Sequence, residues 1–131
     1  MVPPGSAAIS RRSEAYLRII VAGSRRITSY AAISLLLADS PFQITVLLSG
    51  GAKGVDTLAE DWATRHGVDV QRYPLNWKLY RSSAPLVRNC EMANAADGFI
   101  GIWDGYSSGT MGMIQAALHY RLPLHVHVLD V

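Results

Sequence analysis

The residues best suited to chemistry are small or basic, and they form three stretches that each follow an apolar run. These stretches are GSR at 23–25, SGGAKG at 49–54 and DGYSSGTMG at 104–112. Glycine lets the backbone approach a ligand closely, serine and threonine supply hydroxyls, and arginine supplies a planar fork suited to phosphate. Together the three stretches predict a site that holds an anion.

The third stretch makes the most specific prediction. Gly109 and Thr110 are expected at the N-terminus of a helix, where unpaired amides and the helix dipole favour a phosphate or carboxylate. The alternative is that Ser108 and Thr110 only cap that helix.

The second stretch is not a Walker A loop, because its glycine spacing is wrong and no Lys-Ser/Thr pair follows its last glycine. It can still expose amides at the start of the next helix. Asp56 falls in the first turn of that helix, where a carboxylate interacts favourably with the helix N-terminus. Its functional alternative is a hydrogen bond to a ribose or a base.

Strand-like and helix-like stretches alternate along the chain, which is typical of a parallel sheet with helices on both faces. Such sheets bind ligands outside the carboxyl ends of their strands. We therefore predict an α/β fold with a doubly wound parallel sheet of about five strands, in which the first and fourth strands are adjacent at the centre. The predicted strands are 17–22, 44–48, 68–73, 98–103 and 124–129, and the predicted helices are 29–38, 55–66, 85–96 and 110–120.

The bulk composition restricts the class of protein. The 131 residues, half of them hydrophobic and 17% charged, fit one folded domain at 17–131 preceded by a flexible leader at 1–16. The leader lacks an apolar core and is no secretory signal, and no apolar run approaches the roughly 20 residues that span a bilayer. A single cysteine, Cys90, excludes an internal disulfide and fits a reducing compartment. These features predict a cytoplasmic protein with no membrane partner.

Four motifs in order, between Arg18 and Val126, resemble the YspA/YpsA-related branch of the SLOG superfamily. They are RIIVAGSR, LSGGAKGVDTLAEDWA, NWKLYRSSAPLVRNCEMA and GFIGIWDGYSSGT. That superfamily includes the DNA-processing protein DprA and the Lonely Guy phosphoribohydrolases. The resemblance implies a Rossmann-like fold, a site for a nucleotide or a nucleotide-derived ligand, and a homodimer or higher homo-oligomer.

This sequence also differs from Lonely Guy enzymes at one position of their catalytic pair. Lonely Guy enzymes pair a catalytic arginine with a glutamate, and the arginine corresponds to Arg88, whereas the glutamate position holds Met113. A methionine neither donates nor accepts a proton in glycosidic bond cleavage. Hydrolysis would therefore require another carboxylate, for which Asp104, Asp56 and Glu91 are the candidates. The usual Asp-Trp pair is also changed, to Asn76-Trp77.

We accordingly expect a protein that binds a nucleotide-derived small molecule and requires no cofactor or metal. One alternative is a phosphoribohydrolase with Arg88 and Asp104 as catalytic candidates. A second is a DprA-like module for single-stranded DNA, which the net charge of only +2 disfavours. The expected ligand-binding residues are Gly23, Ser24, Arg25, Gly50, Gly51, Asp56, Arg88, Asn89, Asp104, Gly105, Ser108, Gly109 and Thr110.

Two aromatic residues, Trp77 and Tyr80, are expected either to pack in the core or to stack on a base beside this cleft. The phosphate is expected on Gly109-Thr110 and on the backbone near Gly23-Ser24.

Overall fold

A computed structural model describes residues 17–130, and the leader expected at 1–16 lies outside this range. The strands are β1 (Arg18–Gly23), β2 (Val46–Ser49), β3 (Asp69–Arg72), β4 (Gly98–Trp103) and β5 (Leu124–Val128). The helices are α1 (Tyr30–Ala38), α2 (Val55–Arg65), the single turn α3 (Trp77–Tyr80), α4 (Ala84–Ala95) and α5 (Ser108–His119), with a 3₁₀ turn at Arg81–Ser83. Within residues 17–130, no helix is long and apolar enough to cross a membrane.

The five strands form one parallel sheet in the order β3-β2-β1-β4-β5. The predicted α/β class and the adjacency of the first and fourth strands are confirmed. All four residues of β3 are exposed, as expected for a short polar strand at the sheet edge. The order reverses direction at β1, so the carboxyl ends of β1 and β4 border the crevice where such sheets bind ligands.

Helices cover both faces of the sheet because alternate side chains of each central strand point to opposite sides. Ile19 and Val21 of β1 pack with α1 and α2, whereas Ile20 and Ala22 pack with α4 and α5. These four side chains are buried. A strand that is apolar on both faces is the expected consequence of a parallel sheet covered on both sides.

The helix boundaries follow local capping chemistry. Ser29 is the N-cap of α1, and its hydroxyl accepts a hydrogen bond from the Ala32 amide at 3.2 Å. Gly67 follows the end of α2 with φ of +68°, a conformation that favours glycine.

Apart from shifts of one residue at element ends, the structure differs from the sequence prediction in three places. Helix α5 begins at Ser108, because Ser107 rather than Ser108 or Thr110 supplies the capping hydroxyl. Strand β2 begins at Val46, because the Thr45 hydroxyl bonds the Leu17 backbone in place of a regular ladder. The turn α3 was not predicted, and the Asn76 side chain caps it by accepting from the Leu79 amide at 3.1 Å.

Gly54 lies where the start of α2 crosses the chain that leaves β1. Its φ is +79°, and a Cβ built at this position would lie 2.4 Å from the Ser24 carbonyl oxygen and 2.6 Å from Arg25 Cα. Only glycine permits this approach, because both obstructing atoms belong to backbone that cannot rotate away.

We expect Gly54→Ala to lower the free energy of unfolding by about 3 kcal/mol, since it combines left-handed strain with a backbone clash. Gly67→Ala is the matched control. Its φ is also positive, but a Cβ there meets no atom within 4 Å, so only about 1 kcal/mol of strain is expected. Urea denaturation of both variants measures the difference. Equal losses would show that the crossing exerts no steric constraint.

Candidate functional site

A cavity of about 550 Å³ opens at the carboxyl edge of the sheet, where the loops after β1, β2 and β4 converge with α4. Its wall is assembled from segments far apart in sequence, as expected for a crevice beside β1 and β4. The lining residues are Ala22, Gly23, Arg25, Arg26, Gly50, Ala52, Asp56, Arg88, Asn89, Met92, Asp104, Tyr106, Ser107, Ser108, Gly109, Thr110 and Met113.

This cavity brings together most of the expected ligand-binding residues, and three of them lie off its wall. Ser24, Gly51 and Gly105 are not lining residues. Ser24 is fully buried behind the wall, and its hydroxyl accepts a hydrogen bond from the Asp104 amide at 2.9 Å. Its position indicates a structural link between β1 and the loop after β4.

Asp56 is a buried carboxylate that ties two of the loops together. Its Oδ1 accepts from the Gly23 amide at 3.3 Å, and its Oδ2 accepts from the Ala52 amide at 3.2 Å. Burial raises the pKa of Asp56 to about 6, although the two backbone donors and the charge of Arg88 oppose that shift. Its carboxyl group therefore changes charge close to neutral pH.

Arg88 reaches from α4 to the β2–α2 loop. Its Nη1 donates to the Gly50 carbonyl at 3.2 Å and to the Tyr73 carbonyl at 3.3 Å, and its Nε donates to Asn89 Oδ1 at 2.9 Å. A Cβ at Gly50 would lie 2.6 Å from Nη1, so the glycine leaves room for the guanidinium. Burial lowers the pKa of Arg88, and Asp56 opposes the shift. The group keeps its charge, because an arginine does not deprotonate in proteins.

The amides of Gly23 and Ser24 in the first loop are already engaged within the protein. The Gly23 amide donates to Asp56, and the Ser24 amide donates to the Ile102 carbonyl at 3.0 Å. This differs from the expectation that the backbone near Gly23-Ser24 binds a phosphate. The physical reason is that a short parallel loop satisfies its own donors before any ligand arrives.

The second loop is engaged in the same way. The Gly51 amide donates to Ser49 Oγ at 3.1 Å, and the Ala52 amide donates to Asp56. Amides that are already hydrogen-bonded gain little from an anion. Gly50 and Ala52 of this loop therefore contribute to the cavity wall, Gly50 receives the Arg88 contact, and the amides of Gly51 and Ala52 serve the fold.

In the third loop, the amides of Ser108 and Gly109 have no hydrogen-bond acceptor among residues 17–130. The first hydrogen bond of the α5 backbone runs from the Met111 amide to the Ser107 carbonyl, so Ser108 and Gly109 lie ahead of the helical ladder. The Thr110 amide has a long contact of 3.5 Å to Ser107 Oγ. Ser107, Ser108, Gly109 and Thr110 line the cavity. The Ser108 and Gly109 amides at the start of α5 therefore have a geometry that can hold an anion.

Asp104 fixes the shape of this third loop. Its Oδ1 accepts from the Tyr106 amide at 2.9 Å and from the Ser107 amide at 2.8 Å. These two donors hold the pKa of Asp104 below its usual range. Asp104 is thus an ionised loop-forming carboxylate, which makes it a poor proton donor.

The list of expected ligand-binding residues left out several residues of the cavity wall. Met92 and Met113, the latter already identified at the glutamate position, contribute apolar side chains, and Arg26, Tyr106 and Ser107 also line the cavity. Their adjacency to the predicted Arg25, Gly105 and Ser108 was the available signal. Glu91, a candidate replacement carboxylate, is exposed and does not line the cavity.

A buried glutamate beside the site was also missed. Glu60, one helical turn after Asp56, accepts from Ser49 Oγ at 2.6 Å and from Arg72 Nε at 3.0 Å. Ser49 in turn accepts from the Gly51 amide. The polar pattern of α2 gave no sign that this carboxylate is buried, because its partners come from β2 and β3.

The aromatic residues Trp77 and Tyr80 lie neither in the core nor on the cavity wall. Their exposed fractions are 54% and 39%. Within residues 17–130, no cluster of three His, Cys, Asp or Glu side chains is arranged to hold a metal.

The pKa of Asp56 predicts a decrease in stability as pH rises. Between its ordinary value of 3.8 and about 6, the folded state retains a proton that the unfolded state has released. The free energy of unfolding therefore falls by about 3 kcal/mol across this window. Urea denaturation from pH 4 to 7 should show this fall in the wild type and a flatter profile in Asp56→Asn. The exposed Asp61→Asn is the control, and a wild-type slope retained in Asp56→Asn would contradict the assignment.

The sequence of this chain is similar to known proteins. Residues 17–80 match the model of YAcAr, the YspA, cpYpsA-related SLOG family. The Gene 61 protein of Mycobacterium phage D29 is 31% identical over 117 residues, which cover 82% of this chain and 93% of the phage protein.

A solved structure agrees with the fold. The X-ray structure of DNA processing protein A (DprA) from Streptococcus pneumoniae matches with a TM-score of 0.65 at 16% identity, covering 88% of this chain. The chain corresponds to 51% of the DprA chain, so it spans about half the length of that protein. The likeness shows a shared Rossmann-like fold. The match to the family model and the 31% identity to the phage protein show that the chain belongs to the YspA, cpYpsA-related SLOG family.

Proposed function

We propose that the cavity binds a nucleotide or a nucleotide-derived ligand, with its phosphate on the first turn of α5. The observation that carries the proposal is the pair of amides at Ser108 and Gly109, which have no acceptor among residues 17–130 and belong to the wall of a cavity that Arg25, Arg26 and Arg88 also line. Helix N-termini favour anions, and arginine forks match phosphate oxygens. Family membership supports the same ligand class.

Gly109 offers a specific support for this assignment. It occupies an early position of α5, where alanine would favour the helix, and a Cβ there would meet no protein atom within 4 Å. The fold therefore has no steric need for glycine at this position. A ligand atom that approaches the amide closely would need the space that the missing side chain leaves.

The remaining wall suits the rest of such a ligand. Met92 and Met113 offer apolar contact, and the Asp56 carboxylate offers a hydrogen-bond acceptor on the same cavity wall. A cavity with an apolar floor and a few placed polar groups is typical of small-molecule sites.

Gly109→Ala should stabilise the protein by about 0.5–1 kcal/mol through helix propensity, yet weaken nucleotide binding. Loss of one or two charge-assisted hydrogen bonds corresponds to about a tenfold or larger rise in Kd. Calorimetric titration with AMP, GMP, CMP and UMP, alongside urea denaturation, separates the two effects.

Gly112→Ala is the matched control, because Gly112 lies in the same helix but does not line this cavity. It should raise stability without changing affinity. Unchanged affinity in Gly109→Ala, with wild-type nucleotide binding intact, would mean that the phosphate does not sit on α5.

A second candidate function is N-glycoside hydrolysis, and a specific observation supports it. Asp56 is a buried carboxyl with a pKa raised to about 6 in the same cavity as Arg88, which is typical of a proton-transferring group. Asp104, the replacement suggested by its position in the sequence, is less suitable because its pKa is lowered. Asp56 already bonds two backbone amides, so its role in binding and folding accounts for its burial equally well.

We expect binding without substantial hydrolysis, because Met113 stands where related enzymes carry the acid–base glutamate. Loss of one positioned acid–base group typically lowers a rate by 10²–10⁴-fold. Chromatography of AMP, GMP and CMP after long incubation with concentrated protein should show little free base.

Robust base release by the wild type would overturn the binding-only function. Its loss in Asp56→Asn, with nucleotide affinity retained, would then identify Asp56 as the acid–base group. Base release that appears only in Met113→Glu would show that the cavity holds the ligand in a productive orientation and lacks only the carboxylate.

A further inference from the structure

Tyr106 is the most exposed large hydrophobic side chain among residues 17–130, and it lies on the wall of the ligand cavity. Its exposed fraction is 89%, compared with 38% for Tyr120 at the far end of α5. An aromatic ring that is nearly fully hydrated contributes little to the core, although full burial of such a ring is strongly favourable. The fold therefore leaves this ring free to contact a ligand.

The backbone that carries the ring is firmly held. The Tyr106 amide donates to Asp104 Oδ1, and the next carbonyl, that of Ser107, accepts from Trp103 Nε1 at 3.0 Å. The Asp104 amide is in turn bonded to the buried Ser24 hydroxyl. A fixed backbone beneath a free ring limits the entropy that is lost when the ring settles on a ligand.

The position of Tyr106 relative to the anion site restricts what the ring can touch. It precedes Ser108 by two residues, which is at most about 7 Å of chain. A phosphate on the first turn of α5 thus places the adjoining part of its molecule beside the ring. In a nucleotide, that part is the sugar with its planar base.

We propose that Tyr106 stacks on the base of the bound nucleotide, and that it thereby distinguishes nucleotides from sugar phosphates that lack a base. The inference rests on the proposed function and deepens it, because it requires the ligand to contain a planar aromatic ring as well as a phosphate. Stacking on an aromatic side chain tolerates any base, because every base has a π face. The phenol hydroxyl is not needed for this contact.

The test compares a nucleotide with its base-free counterpart. Calorimetry measures the affinities of AMP, GMP, CMP, UMP and ribose 5-phosphate for the wild type and for Tyr106→Ala, Tyr106→Phe and Tyr120→Ala. Tyr106→Ala should weaken the tightest nucleotide about tenfold or more and leave ribose 5-phosphate within about twofold. Tyr106→Phe and the control Tyr120→Ala should bind all ligands as the wild type does.

Nuclear magnetic resonance of the wild type provides a second readout that does not depend on a variant. The Tyr106 ring protons should shift upfield when the nucleotide is added and should not do so with ribose 5-phosphate.

The outcomes separate the two proposals. If Tyr106→Ala weakens both ligands equally, or weakens neither, the stacking role is wrong while the nucleotide site stands. A loss of affinity in Tyr106→Phe would assign the contact to the hydroxyl and also overturn stacking. If the wild type binds neither the nucleotides nor ribose 5-phosphate, the proposed function itself fails, and the stacking role fails with it.

Discussion

The arrangement of the site depends on one buried carboxylate. Asp56 receives the amide of Gly23 from the end of β1 and the amide of Ala52 from the β2–α2 loop. A carboxylate that is removed from water is costly unless it is hydrogen-bonded, so these donors must stay where they are. The close crossing at Gly54 brings the two loops near enough for both bonds to form. As a result, the Gly23 and Ala52 amides of the first two glycine-rich loops are occupied within the protein.

The third loop differs because its carboxylate lies earlier in the chain. Asp104 bonds the amides of Tyr106 and Ser107, which precede the helix, and the Ser108 and Gly109 amides at the start of α5 have no acceptor among residues 17–130. The two aspartates have opposite electrostatic environments: burial dominates at Asp56, and backbone donors dominate at Asp104. One cavity therefore contains a carboxylate that stays ionised and another that titrates near neutral pH.

Much of the fold was predictable from the sequence, because apolar β-branched runs and helical spacing repeat in strict alternation. The predicted bounds of β4 agree with the structure, because an unbroken apolar run begins at Gly98 and ends at Trp103. The cavity was predictable as a place, because parallel strands end at one edge. Which backbone amides are already hydrogen-bonded within the protein was not predictable. The acceptor for the Gly23 amide is Asp56, 33 residues away, and the acceptor for the Ser24 amide is a carbonyl in another strand. The start of α5 was misjudged by two residues because three neighbouring hydroxyls, at 107, 108 and 110, compete to cap it.

The link between Ser24 and Asp104 joins residues that are 80 positions apart. Loops of this length close slowly, because chain entropy is lost before the contact forms. During synthesis, β1 thus waits unpaired on one side until β4 has emerged, and the cavity cannot exist earlier. A ligand in this cavity would bind only the completed fold, and it would therefore stabilise the whole domain by an amount that grows with its concentration, independent of any reaction at the site.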